Sequence, residues 1–272
     1  AYEAATVDLD DANIIDPFHL EAHNEITVNY NRDVEIFPVL KAMMEKILGE
    51  SPYKSPTDMG VNMAGNAICD DEVCRRAANN EILRRYFNTA VKVKRTGSGE
   101  DEVARLELIM QQSGLDYHTY PGRKEALIKA EATGLPAGAI ILEDGRVITG
   151  KTSALLGAAS STLMNALKAV AGIDDEALLI SDEALEPICN MKIDYLHSQN
   201  PRLHPNETII ALSISSATDK AAATALEALK KLQGCDAFFS VIIPEADERL
   251  YRTLGINVCC EPQFENHHYY HK

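Results

Sequence analysis

Long apolar runs are missing from this chain. No stretch of its 272 residues approaches the roughly 20 consecutive apolar residues that a membrane-spanning helix needs. The start, AYEAATVDLDDAN, has neither a positively charged flank nor an apolar segment, which argues against a secretory signal peptide. It also lacks an initiator methionine, which indicates a chain that begins inside a longer polypeptide. These absences predict a cytoplasmic protein that does not partner a membrane.

Positive charge is also scarce. The chain has 26 basic and 41 acidic residues, for a formal net charge of −15. The phosphates of nucleic acids and anionic lipids would be repelled, so neither is expected as the main partner, although a local basic pocket is compatible with this balance. An apolar share of 46% and a charged share of 25% are typical of a globular protein that forms a core without covalent staples.

Cysteines with metal-ligand spacing are absent as well. None of the six forms a C-x-x-C pair; they are Cys69, Cys74, Cys189, Cys235, Cys259 and Cys260. Adjacent side chains on a strand point to opposite faces, so Cys259 and Cys260 are poorly placed to bond each other. We therefore predict reduced, mostly buried thiols.

The apolar spacing divides the chain into a helical first half and an alternating second half. Helices are predicted in DVEIFPVLKAMMEKILGE, in DDEVCRRAANNEILRRYFNTAVKVK and in GEDEVARLELIMQQSG. Asp33 is placed to cap the first and Gly114 to end the third. We place a mainly helical segment with a long polar lead at residues 1–135, and an α/β domain at residues 136–272.

The second half predicts a hairpin followed by βα units. AGAIILEDGRVITG reads as two strands around Asp144-Gly145, and helix 153–171 follows. Further strands are predicted in EALLIS, ETIIALSIS, DAFFSVII and INVCCEP, with helices in DEALEPICNMKIDYLHS, DKAAATALEALKKLQG and EADERLYRTLG between them. This alternation favours a three-layer α/β domain with a mixed sheet.

The stretch GRVITGKT matches the phosphate-loop pattern G-x-x-x-x-G-K-[ST] letter for letter. A phosphate loop needs free backbone N–H groups on a sharply curved chain, whereas three of the four middle residues are β-branched and favour a strand. We therefore favour a hairpin. A weaker anion site remains at Lys151, Thr152 and Ser153, at the expected start of helix 153–171, where Thr152 or Ser153 would alternatively serve as the helix cap.

The order of hairpin, helices and strands also resembles the cytidine-deaminase-like fold. Zinc deaminases place a His or Cys followed by x-Glu on the first helix and P-C-x-x-C on the next. Here SALLGAASS offers no ligand, and EPICNMK offers only Cys189. The topology is therefore expected to be deaminase-like, and zinc chemistry is not.

Polar residues concentrate in segment 16–62, a Pro- and Gly-punctuated stretch with few apolar residues. Lysine and arginine among carboxylates and amides suit a phosphorylated or carboxylated small molecule, and the carboxylates suit Mg²⁺. The alternative is a solvated connection that caps itself. The candidate catalytic residues are Asp33, Lys54 and Asp58. The candidate ligand-binding residues are Asn29, Asn31, Arg32, Glu35, Ser55, Thr57 and Asn62, together with Lys151, Thr152 and Ser153. No metal-ligating residue is assigned.

Several motifs resemble a bacterial family of uncharacterised proteins, of the kind described as domains of unknown function. They are AYEAATVDLDDANIIDPFHLEAHNEITVNYNRDVEIFPVLKAM, YKSPTDMGVN, DDEVCRRA, GRVITGKTS and ALSISSATD. The resemblance implies a cytoplasmic protein about twice this length, of which this chain would be the C-terminal half. A site in segment 16–62 would then be completed by an absent N-terminal half of the same protein. The family implies no established activity and assigns no catalytic residue.

Three functions therefore compete. The first is an enzyme or binder of a phosphorylated or nucleotide-like small molecule, with its site in segment 16–62. The second is a non-catalytic module that forms a homo-oligomer through apolar faces such as SALLGAASSTLMNALKAV. The third is a degenerate deaminase-like protein without zinc. Whether the chain is an enzyme is left open by its sequence.

Overall fold

The computed structural model describes residues 30–51, 71–198 and 200–265. These residues belong to two compact units, one ending at Tyr117 and the other beginning at His118. A short 3₁₀ turn, Tyr117–Thr119, contains the boundary.

The first unit is helical where it is described. It contains α1 (Tyr30–Leu48), α2 (Asp71–Thr96) and α3 (Glu100–Ser113). α2 packs against α3, and Ile82, Phe87 and Ile109 are fully buried there. α3 ends at Gly114, whose φ of 66° is left-handed and suits a residue without a Cβ. The predicted helical character of the first half is confirmed over these residues.

Helix α1 departs from the prediction in two ways. It already includes Tyr30, so Asp33 lies inside the helix and the expected cap is wrong. The apolar periodicity predicted the helix, but Val39, Met43 and Ile47 on its expected inner face are 60%, 51% and 71% exposed. A helical repeat indicates which residues share a face, and does not by itself supply the surface that covers that face.

The second unit alternates helices with short strands. It begins with α4 (Arg123–Thr133), β1 (Ala137–Ile141), β2 (Val147–Lys151) and α5 (Ala158–Ala171). Next come α6 (Asp182–Asn190), which continues as a π-helical turn (Met191–Tyr195), and α7 (Pro205–Ser215). The unit is completed by α8 (Lys220–Glu227) with a 3₁₀ extension (Ala228–Leu232), β3 (Asp236–Phe239), α9 (Glu245–Thr253) and β4 (Asn257–Cys260).

The four strands form one mixed sheet in the order β2-β1-β3-β4. β1 is antiparallel to both of its neighbours, and β3 is parallel to β4. The β1–β2 turn places Gly145 at φ 82°, and the Gly145 N–H donates to the Leu142 carbonyl at 2.9 Å. The predicted mixed sheet is confirmed, as is the hairpin signalled by Asp144-Gly145.

Helices cover both faces of this sheet. α4 approaches the face of β1 that carries Ala139, because a Cβ on Gly122 would meet the Ala139 methyl group at 3.4 Å. α5 approaches the opposite face, where a Cβ on Gly150 would collide with the Thr162 backbone. α5 is buried along Leu163, Ala166 and Leu167, which accounts for its small and apolar composition.

Two predicted strands are wrong. EALLIS at residues 176–181 forms no strand, and ETIIALSIS lies in α7. Its β-branched residues favour a strand locally, but Pro205 occupies the first helical turn and the Glu207 carboxylate accepts the His204 N–H at 2.8 Å. These are helix-starting interactions, and they outweigh the weaker propensity of the side chains.

Candidate functional site

A groove of about 450 Å³ lies beside the end of β2. Lys151 is the last residue of that strand, and residues 152–157 then lead into α5. This connection is fixed by backbone hydrogen bonds: the Thr152 N–H donates to the Pro136 carbonyl at 2.8 Å, and the Leu203 N–H donates to the Leu155 carbonyl at 2.7 Å. One side of the groove is therefore anchored to the sheet and to the segment that precedes α7.

One face of α5 forms a second wall. Ser161, Met164, Asn165 and Lys168 line the groove at the i, i+3, i+4 and i+7 positions that share a helix face. The Asn165 amide donates to the Thr149 carbonyl at 2.9 Å, which links this wall to β2. Residues 177–180 and Leu185 complete the lining.

The lining is apolar except at a few points. Leucines, an isoleucine, alanines and Met164 supply most of it, whereas Lys151 and Lys168 supply the charge. No carboxylate occurs among the described lining residues, although the whole chain carries a formal charge of −15. The Lys168 ammonium donates to the Asp175 carbonyl at 2.6 Å, and a lysine ammonium has three donors, so further acceptors can bind it.

The predicted anion site at the end of β2 is placed differently from the expectation. α5 begins at Ala158 with Gly157 at its cap position, so neither Thr152 nor Ser153 caps it and that prediction is wrong. The Ser153 N–H donates to the Leu156 carbonyl at 2.9 Å, and the Thr152 N–H is likewise paired. Lys151 and Ser153 are exposed residues of the groove lining, while Thr152 is buried.

The other predicted site residues are not placed by the described structure. Asn31, Arg32, Asp33 and Glu35 lie in α1, and their side chains are outside the described part of it. The remainder lie outside the described residues altogether: Asn29, Lys54, Ser55, Thr57, Asp58 and Asn62. Their catalytic and binding roles stay predictions.

Sequence reasoning missed Asn165 and Lys168. Their signal is the spacing S-x-x-M-N-x-x-K within α5, which places two polar side chains and a lysine along one face of an otherwise buried helix. The lining also draws on residues 177–180, which only the folded chain brings to this helix.

Over the described residues, the chain offers no ready metal centre. No group of three or more His, Cys, Asp or Glu side chains there is positioned to hold an ion. Cys189 is partly exposed, whereas Cys235, Cys259 and Cys260 are buried. No helix within residues 30–51, 71–198 and 200–265 is both long and apolar enough to cross a bilayer.

These features define a mixed α/β chain whose sheet-bearing unit carries a lysine-edged apolar groove. Residues 119–270 match the family model described as "Domain of unknown function DUF1846, C-terminal", and residues 1–114 match "Domain of unknown function DUF1846, N-terminal". The chain belongs to the DUF1846 family.

Bacterial relatives align with nearly the whole chain. A "UPF0371 protein" of Corynebacterium aurimucosum is 54% identical over 264 residues, which cover 97% of this chain and 53% of that protein. "UPF0371 protein DIP2346" of Corynebacterium diphtheriae is 52% identical, and a "UPF0371 protein" of Streptococcus thermophilus is 50% identical; each alignment covers 100% of this chain and 55% of the relative. The chain thus spans about half the length of these relatives.

The expectation that this chain is a C-terminal half is wrong. Residues 1–114 match the model of the N-terminal domain, so the chain contains parts that correspond to both domains. The predicted partner, an absent N-terminal half that would complete a site in segment 16–62, is withdrawn with it.

Proposed function

We propose that the sheet-bearing unit binds a small molecule with an apolar body and a phosphate or carboxylate group. The observation that carries this proposal is the groove beside β2, with apolar walls and two lysines. Small-molecule sites are concave, mostly apolar and furnished with a few polar groups that fix orientation. This binding function is the conclusion that the described geometry supports best.

The size and walls of the groove support the apolar part of the ligand. Its volume of about 450 Å³ is within the roughly 300–1,000 Å³ typical of small-molecule sites. Leu156, Met164 and Leu179 are among its apolar lining residues. An apolar ligand body that enters this space is removed from water, at a gain of about 25 cal/mol for each Å² buried.

The charge of the groove supports the anionic part. Lys151 is exposed at the end of β2, and Lys168 approaches from α5. A phosphate or carboxylate that reaches either ammonium would receive charge-assisted hydrogen bonds, which are stronger than neutral ones. Ser153 and Ser161 add hydroxyl groups to the lining. The rest of the acidic chain would repel the same anion, so binding is expected to concentrate here.

The strand arrangement supports a deaminase-like topology as a further part of this proposal. A hairpin leads the sheet, and β1 runs antiparallel to both neighbours while β3 and β4 are parallel. Helices α5, α6, α7 and α8 lie between the hairpin and β3. Cys189 in α6 is a single thiol, which does not make a zinc site. We therefore propose a shared topology with a function other than zinc-dependent deamination.

A paired titration tests the binding proposal. We expect n-octyl phosphate to raise the thermal unfolding temperature of the chain. n-Octanol and inorganic phosphate should each raise it less, because n-octanol lacks the anionic group and inorganic phosphate lacks the apolar chain. Lys151→Ala and Lys168→Ala should each weaken octyl phosphate binding by about tenfold, since each removes a charge-assisted hydrogen bond.

Lys124→Ala is the matched control. This lysine is exposed on α4, which covers the opposite face of the sheet, so its removal takes away the same charge without touching the groove. Equal weakening by all three lysine variants would show non-specific attraction and contradict the proposal.

Self-association is a second candidate, because part of this unit exposes apolar side chains. Ile210 and Ile214 are exposed one turn apart on α7, and Ile193 and Tyr195 are exposed in the π-helical turn. The α5 face first considered for this role is buried within its own unit. Light scattering tests the candidate: a dimer that becomes a monomer in Ile210→Asp supports it, and a monomeric parent chain contradicts it.

A further inference from the structure

Segment 202–204 is fastened to one wall of the groove without lining it. That wall is segment 153–156, part of the connection from β2 to α5. The Leu203 N–H donates to the Leu155 carbonyl at 2.7 Å, and the Leu203 carbonyl accepts the Gly157 N–H at 3.2 Å. The position of this wall therefore depends on where segment 202–204 lies.

Two side chains strengthen this attachment. The Arg202 Nε–H donates to the Ser153 carbonyl at 3.0 Å. The Ser160 hydroxyl, in the first turn of α5, donates to the Leu203 carbonyl at 2.8 Å. Ser160 and Leu203 are fully buried, so water would not replace this second bond if the segment moved, and a displacement is costly.

A buried lysine binds the same segment. The Lys192 ammonium donates to the Arg202 carbonyl at 2.5 Å and to a Glu207 oxygen at 2.8 Å, and the Lys192 side chain is 5% exposed. The same Glu207 oxygen accepts the His204 N–H at 2.8 Å. Lys192 therefore fixes segment 202–204 directly at Arg202 and, through Glu207, at His204.

The helix that carries Lys192 also contributes to the groove. Leu185 in α6 lines the groove, and Lys192 lies in the π-helical turn that continues α6. π-Helical turns are rare and occur frequently at functional sites. Lys192 itself is not among the described residues that line the groove. Its contacts connect it to the groove wall through segment 202–204.

We propose that Lys192 is a positioning residue of the groove: it fixes segment 202–204, and that segment holds wall 153–156 in the arrangement that binds the ligand. This inference rests on the proposed binding function and adds a residue that acts on the ligand through others. A neutral side chain at position 192 would leave the Arg202 carbonyl and the Glu207 carboxylate without the ammonium. Ligand affinity should then fall although no lining residue has changed.

Lys192→Met tests the inference in the whole chain through two measurements. We expect the dissociation constant for n-octyl phosphate to rise about threefold or more, the size of effect that residues outside a site exert through packed contacts. We also expect amide hydrogen exchange at Leu203 and Gly157 to speed up relative to Leu142. The Leu142 N–H, which donates to the Arg146 carbonyl, is the reference because it lies in the hairpin.

Arg123→Met is the matched control. Arg123 is a buried cation of α4, and its guanidinium donates two hydrogen bonds of 2.9 Å to the Glu261 carboxylate. α4 covers the face of the sheet opposite α5, so this variant removes the same charge and a comparable ion pair away from the groove. We expect it to lower stability but to leave the affinity and the relative exchange rate of Leu203 near their wild-type values.

Glu207→Gln keeps the test decisive if Lys192→Met does not fold. Glutamine still accepts the His204 N–H in a capping box, so the start of α7 is retained while the charge facing Lys192 is lost. Affinity and exchange should change in the same directions as in Lys192→Met.

Three results overturn the proposal. One is exchange at Leu203 that stays at the wild-type rate. Another is unchanged affinity, which would show a purely structural contact. The third is an equal change of both quantities in Arg123→Met. A wild-type chain that does not bind n-octyl phosphate contradicts the proposed function instead, while the exchange rates still report whether Lys192 holds the wall.

Discussion

A single carboxylate decides when His204 carries charge. Asp247 accepts a hydrogen bond from the ring and lies close enough to favour its protonated form. This contact joins the beginnings of α7 and α9, so the protonation state of one side chain is linked to the stability of the unit.

Stability should therefore depend on pH through His204. Its pKa is raised in the folded chain, so the folded state binds this proton more tightly than the unfolded state does. The stabilisation is fully present below the unfolded pKa of about 6.5 and is lost as the pH rises through the folded pKa. Urea unfolding at a series of pH values measures this loss.

His204→Asn should remove that part of the pH dependence, while His197→Asn should retain it. The comparison uses two histidines of one unit, one paired with a buried carboxylate and one exposed. Parallel stability curves for the wild-type chain and His204→Asn would show that the ring and Asp247 are not coupled to folding.

At the scale of elements, α5 packs so closely against β2 that only a glycine fits at position 150. A Cβ on Gly150 would collide with the backbone of Thr162, which cannot move without moving the helix. The same helix face bears Ser161, Met164, Asn165 and Lys168, so this close packing also sets the distance across the groove.

Gly150→Ala should lower the free energy of unfolding by roughly 1–3 kcal/mol, as overpacking a tight contact does. Gly157→Ala is the control, because its Cβ would lie 3.7 Å from the nearest atom and its φ of −66° suits alanine. We expect that control to lose less than about 1 kcal/mol. Equal losses in urea unfolding would contradict the packing argument.

Local signals predicted some elements well. Asp144-Gly145 predicted the hairpin because its tight turn requires a residue with positive φ, which glycine adopts readily. Gly114 predicted the end of α3 because that position also has a positive φ. ETIIALSIS was wrongly predicted as a strand because its β-branched residues favour one. Pro205 and the Glu207 cap favour a helix, which is what forms. Strand EALLIS failed because an apolar run alone does not supply a partner strand.

The groove could be predicted only in part. Lys151 and Ser153 were predicted from a short motif and lie in the groove lining, although the helix start expected at that point was wrong and their binding role stays a prediction. Lys168 and residues 177–180 were missed, since they reach the groove through the packing of α5 and the chain after it. Contacts of this kind depend on tertiary structure, and no local pattern encodes them.

At the scale of the whole molecule, the chain contains matches to both the N-terminal and the C-terminal domain of one family. The two family models cover residues 1–114 and 119–270, and the division of the chain into two compact units falls between residues 117 and 118. The groove and the His204–Asp247 pair both belong to the second unit, so the binding proposal and the pH dependence of stability concern this unit. The predicted site in segment 16–62 belongs to the first, and its roles stay predictions.

The central claim is that a small amphipathic anion binds in the groove beside β2. Methyl NMR of the whole chain during a titration with n-octyl phosphate tests it most directly. Binding in the groove predicts that the methyl signals of Leu156, Met164 and Leu179 shift together and saturate with one binding constant, while those of Ile210 and Ile214 on α7 stay in place. Shifts confined to Ile210 and Ile214, with the groove methyl groups unmoved, would contradict the account.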